Sequence, residues 1–402
     1  MASSVPEWID RDFCERLVER IQEGSELISW VAEPLAVSGD NYSSILYRVS
    51  LRTSTNTFSL VVKSLPQGSM MREYMLSDGI FSKEVELYQK VFPAMYSFYV
   101  DHGGNISYFC PQSYPSPISD TVVLQDLQPL GYTLRSRQEQ FNMDHSAFAM
   151  KTLALFHGLS VGLHSRNSKL VECYKENIYT TRKKEVMRDY TNLMLMDLAS
   201  EVETWIGFER FGNKIRDYSK TVLDTWINIY EQVDGFFLVL NHGDFWTSNM
   251  LFRYSDSGKI EDLKLIDFQY SKYAPAVLDI LYLLYSSVQE SVRKECIDEL
   301  LGEYLAVLRE TLDIVGCSER LPSLKRLKKE MRDKMDLVAM VALTILPAMV
   351  ANEEEMANFG TLADEASSLG GVQNPIQKSI KGNRFRQILP SILIDLERDG
   401  IL

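Results

Sequence analysis

Apolar positions recur at helical spacing near the N-terminus, where Trp8, Phe13, Leu17 and Ile21 predict an amphipathic helix over Pro6–Gln22. The period then changes. Ser29–Val37, Tyr42–Leu51 and Thr57–Ser64 are rich in strand formers, and polar turns separate them at Ser38-Gly39-Asp40-Asn41 and Arg52-Thr53-Ser54-Thr55-Asn56. Short turns between successive strands imply an antiparallel meander. A helix is predicted over Gly79–Val91, and a short apolar strand over Thr121–Leu124 follows the stretch Pro111–Pro117. Helical patterns dominate thereafter, over Gln138–His164, Arg182–Phe208 and Arg216–Val233, and again from Ala276 onward. They are interrupted by a strand pair, Asn249–Tyr254 and Glu261–Phe268, joined by the turn Ser255-Asp256-Ser257-Gly258. The layout is α+β: a small antiparallel-sheet lobe over residues 1–127 and a large, mainly helical lobe over 128–402, with the boundary near Asp126–Pro129. There is no internal repeat and no low-complexity tract.

The same periodicities place individual polar residues. In Thr57–Lys63 the alternation puts Lys63 on one face with Val61, and Phe58, Leu60 and Val62 on the other. A cationic tip on such a strand suits the α- and β-phosphates of ATP; an edge lysine at a strand end is the plain alternative. In the following helix Phe81, Glu84 and Tyr88 share a face, so Glu84 points with the apolar residues while Glu86 does not. An inward carboxylate needs a cationic partner, and Lys63 is the candidate.

The densest chemistry lies in His242-Gly243-Asp244-Phe245-Trp246-Thr247-Ser248-Asn249 and in Ile266-Asp267-Phe268-Gln269. Asp244 and Asn249 are five positions apart, and the predicted hairpin returns Asp267 beside Asn249. Taken singly, Asp and Asn commonly cap turns or end strands; those roles leave the joint spacing unexplained. Phosphoryl transfer uses such a set: one carboxylate for the proton of the attacking hydroxyl, and an amide oxygen with a second carboxylate for Mg²⁺. The order Asp, four residues, Asn, then a D-F-x element follows the kinase catalytic pattern. The turn Ser38-Gly39-Asp40-Asn41 could cover phosphates with its backbone N–H groups, although it holds a single glycine, and no Walker A motif occurs.

Composition narrows the classes further. With 42 Lys plus Arg against 55 Asp plus Glu, the formal charge is −13, a poor match for nucleic acid or for an anionic membrane surface. Five scattered cysteines, Cys14, Cys110, Cys173, Cys296 and Cys317, read as reduced thiols rather than a disulfide frame or zinc site. The N-terminal segment lacks the apolar run of a signal peptide. No apolar stretch is expected to reach the length of a membrane span; the closest, Leu337–Val350, stops at a run of glutamates, and a soluble, cytoplasmic chain with no obligate protein partner is expected.

These residues resemble the ecdysteroid kinase-like family, near choline kinases and aminoglycoside phosphotransferases in the protein-kinase-like superfamily. The resemblance is carried by GDNYSSILYR at 39–48, VVK at 61–63, FSKEVELY at 81–88, VLQDLQPLG at 123–131, LALFH at 153–157, HGDFWTSNMLF at 242–252 and IDFQ at 266–269. It implies a two-lobed protein-kinase-like fold and a small-molecule kinase. By that resemblance Asp244 is the catalytic base, Asn249 and Asp267 the Mg²⁺ ligands, and Lys63 with Glu84 the ATP-positioning pair. Gln125, Asp126 and Leu127 form the hinge whose backbone meets adenine, and Ser38 to Asn41 with Val61 complete the nucleotide site. The acceptor it implies is a hydroxyl of an ecdysteroid or a related steroid or xenobiotic alcohol. Two departures from protein kinases point to a small acceptor. Gly243 replaces the arginine of H-R-D, and only residues 268–273 precede Ala274-Pro275-Ala276 and the next helix, too few to hold a peptide.

A choline- or ethanolamine-type kinase is the enzymatic alternative; it needs an aromatic and acidic cage that no pattern locates. A nucleotide- or steroid-binding module without turnover is the non-enzymatic one, and the intact Asp244, Asn249 and Asp267 argue against it. Asp279, in the first turn of an apolar helix over Ala276–Tyr285, either braces the catalytic loop or simply suits a helix N-terminus. His157 is expected as a hydrogen-bonded core histidine and His242 as a loop-shaping one. His102, His145 and His164 have no metal-site spacing. The basic run Lys325–Lys334 reads as a solvated helix face.

Overall fold

The computed structural model of the chain describes residues 4–35, 44–65, 76, 79–105, 108–175, 184–356 and 376–402. The chain forms two compact units: Met1–Leu134 with Asn249–Ser271, and Arg135–Ser248 with Lys272–Leu402.

The first unit is built on the expected meander. Strands β1 (Leu27–Pro34), β2 (Ile45–Thr53), β3 (Thr57–Ser64), β4 (Ser113–Tyr114) and β5 (Thr121–Gln125) form one antiparallel sheet in the order β1-β2-β3-β5-β4. Helix α1 (Arg11–Ile21) starts where the Asp10 side chain accepts the Phe13 N–H, 2.8 Å away. Its apolar stripe, Phe13, Cys14, Leu17 and Val18, packs in one core with Val49, Leu51, Leu60 and Val62. Each large side chain buried there contributes about 1.5–3 kcal/mol. Leu60 and Val62 therefore face α1, and the alternation sends Lys63 to the other face of the sheet.

That other side meets helix α2 (Ile80–Glu86), which carries Glu84. The sequence predicts a helix ending at Val91. The structure instead continues through a π-helical turn, Leu87–Val91, into α3 (Phe92–Asp101). Pro93 is the physical reason. Its ring would clash with the Gln89 carbonyl in a regular helix, and the turn widens so that Phe92 N donates to Leu87 O. The unit is completed by β6 (Tyr132–Leu134), β8 (Met250–Tyr254) and β9 (Ile260–Leu265), in the order β6-β8-β9. The hairpin β8–β9 closes at Gly258, whose φ of +79° requires glycine. Its residues follow the predicted pair to within a few positions at each end.

The second unit is mainly helical. Its longest element, α4 (Met143–Arg166), begins where Asn142 accepts the His145 N–H. It packs along α9 (Ile297–Ile314) at Gly158, where a Cβ would lie 2.6 Å from Thr311 Cγ2, so only glycine permits the approach. Against the expectation that no stretch reaches the length of a membrane span, α4 is long and apolar enough to cross one by length and composition. Most of it is buried inside the protein, as in the core helix of a folded domain. Helices α5 (Lys184–Val202), α6 (Arg210–Ser219) and α7 (Val222–Glu231) follow. A two-stranded sheet of β7 (Leu238–Asn241) and β10 (Lys272–Pro275), not expected from sequence, frames the motif at 242–249. The apolar helix α8 (Val277–Ser286) runs on from β10, and α10 (Asn383–Arg398) is tied to the unit by the buried pair Arg293–Asp395. Cys14, Cys110 and Cys317 are buried free thiols, Cys296 is half-buried and Cys173 is exposed.

Candidate active site

In the first unit, three predicted residues meet. Lys63 Nζ donates to Glu84 Oε2 at 2.7 Å and to Asp267 Oδ1 at 2.9 Å. Lys63 is 5% and Glu84 0% exposed, so the pair is out of water and the charges must answer one another. Burial opposes the charge on Lys63, yet Asp267 and Glu84 outweigh it and hold the ammonium above the ordinary lysine range. Burial likewise pushes Glu84 up to about 7, against the pull of Lys63. Removing one partner of such a buried pair costs about 3–5 kcal/mol.

Asp267 reaches the lysine by an unusual backbone. Its φ is +64°, a left-handed conformation that a non-glycine residue rarely adopts. The next residue fixes it there: Phe268 is fully buried, with its ring edge-on to Tyr88 and Phe92 at centroid distances of 5.7 and 4.7 Å. The helical segment carrying Glu84 therefore also anchors the neighbour of Asp267. Asn249 lies at the start of β8, where its carbonyl accepts the Ile266 N–H at 3.1 Å, so the hairpin returns Asp267 to the Asn249 end as expected.

The hinge residues Gln125, Asp126 and Leu127 follow β5. Asp126 turns its side chain inward, accepting from Arg48 Nε and Ser59 Oγ, both at 2.7 Å, and from Gln128 N at 3.1 Å. Burial would raise this carboxyl, but the Arg48 and Ser59 bonds hold it below the usual range. Its N–H donates to Ser59 O, the Gln125 N–H to Gln112 O, and Leu127 O accepts from Leu130 N and Tyr132 N. Val61 is half-buried between Arg48 and Leu124 in the sheet. Ser38, Gly39, Asp40 and Asn41 lie outside the described residues.

In the second unit, the loop after β7 is held from one helix. Asp279, in the first turn of α8, accepts His242 N at 2.6 Å on Oδ2 and Gly243 N at 3.0 Å on Oδ1. Thr247 N donates to Ser287 Oγ at the far end of α8, 3.0 Å away. Asn241 adds a clamp, donating from Nδ2 to Ala274 O at 2.9 Å. Gly243 has φ +82°, so the position where protein kinases carry arginine is here a left-handed turn. His157, fully buried, joins the network through Asp279 Oδ2 at 3.3 Å and Tyr304 Oη at 2.8 Å. Burial lowers its proton affinity, which keeps it a core histidine. His242 Nδ1 accepts the Asp244 N–H at 3.3 Å, a loop-shaping role. Asp244 itself accepts from Tyr282 Oη on Oδ1 at 2.7 Å and from Trp246 Nε1 on Oδ2 at 3.3 Å.

Nothing in the predicted patterns marks Arg48, Ser59, Asn241, Tyr282 or Phe92 as site supports. For Tyr282 a signal exists, its place three residues after Asp279 on the same helix face. Among the described residues no group of three or more His, Cys, Asp or Glu is arranged for a metal. An amide oxygen and one carboxylate nevertheless fit a hard ion that takes one or two protein ligands and completes its shell with phosphate and water, as Mg²⁺ does.

A five-stranded antiparallel sheet with a buried lysine–glutamate pair, and a helical unit carrying an H-G-D loop, define the class of kinase-like phosphotransferases. Residues 38–317 match the ecdysteroid kinase-like family, and the chain belongs to it. No curated protein matches the chain significantly. Solved structures similar to it include spectinomycin phosphotransferase APH(9)-Ia in complex with ADP and spectinomycin, at 14% identity and TM-score 0.47, over 98% of this chain and 99% of that one. Ethanolamine kinase from Plasmodium vivax follows at 15% and 0.38, over 80% and 85% of the two chains. Choline kinase LicA from Streptococcus pneumoniae follows at 13% and 0.38, over 82% and 98%.

Proposed function

We propose that the chain transfers the γ-phosphoryl group of ATP to a hydroxyl of a small apolar molecule, an ecdysteroid or related steroid or xenobiotic alcohol. The observation that carries the proposal is Lys63 Nζ shared between Glu84 and Asp267, at 2.7 and 2.9 Å. A buried ammonium held in place by two carboxylates is a fixed hydrogen-bond donor, suited to the oxygens of a triphosphate. Asn249 and Asp267 would hold Mg²⁺, which when bound neutralises charge on the phosphates. Asp244 takes the proton of the acceptor hydroxyl as its oxygen bonds to the γ-phosphorus, and ADP leaves with the electrons of the broken phosphorus–oxygen bond. Family membership supports the acceptor class, and the short run 268–276 between Asp267 and α8 leaves little chain to seat a peptide.

The test is ATP consumption by the full chain with Mg²⁺ and a panel of ecdysone, sugars and amino alcohols, with product mass measured. Acceleration by ecdysone with a phosphate added to it is expected. Acceleration by choline or ethanolamine instead would move the protein to the amino-alcohol kinases. Tight Mg-ATP binding with no acceptor effect would make it a binding module.

A further inference from the structure

Helix α8 carries Asp279 and Tyr282 three positions apart, so both side chains leave one face of the helix. They do different things to three successive loop residues. Asp279 takes the backbone N–H groups of His242 and Gly243, which fixes where the chain runs. Tyr282 takes the side chain of Asp244, which fixes how the carboxylate is turned. The terminal torsion of an aspartate is soft and roughly two-fold, so without a directed donor its two oxygens exchange places.

The two oxygens of Asp244 are not equivalent here. Oδ1 receives the Tyr282 hydroxyl at 2.7 Å, an optimal O–H···O distance, from a residue only 6% exposed. Oδ2 receives the Trp246 indole N–H at 3.3 Å, longer than an optimal N–H···O bond, and Trp246 is half-buried. Of these two bonds, the one from Tyr282 is the shorter and the more deeply buried.

Resting on Asp244 as the base proposed above, we infer that Tyr282 is a positioning residue for phosphoryl transfer: it pins Oδ1 and leaves Oδ2 to receive the acceptor's proton. The indole N–H of Trp246 holds Oδ2 until the acceptor arrives. The acceptor's O–H then takes that place, its proton passes to Oδ2, its oxygen bonds to the γ-phosphorus, and the bond to the departing ADP oxygen breaks.

The experiment uses the full chain with Tyr282→Phe, which keeps the ring and removes one hydroxyl. Asp244→Asn and the double variant are made in parallel. Mg-ATP turnover is followed with water alone and with ecdysone, alongside the Kd for Mg-ATP and the Tm. Tyr282→Phe is expected to lower kcat about 10–100-fold, the scale of a misplaced catalytic group, with KM and the Mg-ATP Kd unchanged within about twofold. The double variant is expected to be no slower than Asp244→Asn alone, because Tyr282 acts only through that carboxylate. Full kcat in Tyr282→Phe beside an inactive Asp244→Asn would overturn the inference while sparing the base. So would a double variant slower by the full product of the two losses. Near-normal turnover in Asp244→Asn would remove the base assignment first and the inference with it. The same holds for a wild-type chain that binds Mg-ATP yet hydrolyses none with either acceptor.

Discussion

The two units solve the problem of holding a reactive group in opposite ways. In the first, Lys63 is held between Glu84 and Asp267, and its charge offsets the desolvation of both carboxylates. In the second, the loop at 242–247 is held by helix α8 through bonds to backbone N–H groups and a tyrosine hydroxyl. The contrast suits the division of labour proposed for them. A triphosphate is highly charged and wants a fixed counter-charge. A proton acceptor wants its carboxylate aimed, with no cation bound to quench it. A charge network fails when one member is removed, whereas the loop is held at several points along α8, at Asp279, Tyr282 and Ser287.

The sharpest way to break the comparison is Asp244→Ala. Turnover should fall about 10²–10⁴-fold while Mg-ATP affinity stays nearly intact, measured by coupled assay and by calorimetry. A large loss of nucleotide binding would mean that the second unit also holds the triphosphate. Asp267→Ala should do the converse. It removes one charged contact, worth about 1.5–3 kcal/mol, so metal-dependent ATP binding should weaken about 10–100-fold. Unchanged Mg-ATP affinity would deny Asp267 its place as a ligand. The smallest effect is expected from Glu84→Gln, and it sharpens the contrast through pH. Glu84 is pushed up to about 7, so lowering the pH through that value protonates it and withdraws one of the carboxylates on Lys63. Wild-type Mg-ATP affinity should therefore fall as the pH drops through about 7. In Glu84→Gln the side chain is neutral at every pH, so that limb should be flat, with affinity lowered by under about tenfold, or 1.4 kcal/mol. A pH limb that survives the substitution would assign the titration to another group.

Much of the first unit is legible in the sequence because its signals are periodic. Alternation in β3 separates Lys63 from Leu60 and Val62, and helical spacing puts Glu84 with Phe81 and Tyr88 on the buried face; the fold has both arrangements. The hairpin that returns Asp267 to Asn249 follows from a turn signal and two strand patterns. The supports are less legible, for reasons that are themselves physical. An aspartate in the first turn of a helix looks the same whether it serves the helix dipole or grips a loop, and Asp279 does the second. A tyrosine in the apolar run of α8 looks like core, and only the fold shows its hydroxyl on Asp244. The pairing of Arg48 with Asp126 spans 78 positions, beyond any local pattern. The helix predicted over Gly79–Val91 runs on through a widened turn at Leu87–Val91 into α3, because Pro93 cannot sit in a regular turn there.

The aromatic packing of Phe268 has a consequence for control. In kinases governed by a swinging segment, the phenylalanine beside the metal-binding aspartate leaves its seat to switch the enzyme off. Here that ring is wedged against two aromatics of the helical segment that also bears Glu84, so moving it would disturb the lysine anchor as well. The segment works as a bracket that holds the ring and the Glu84 carboxylate together.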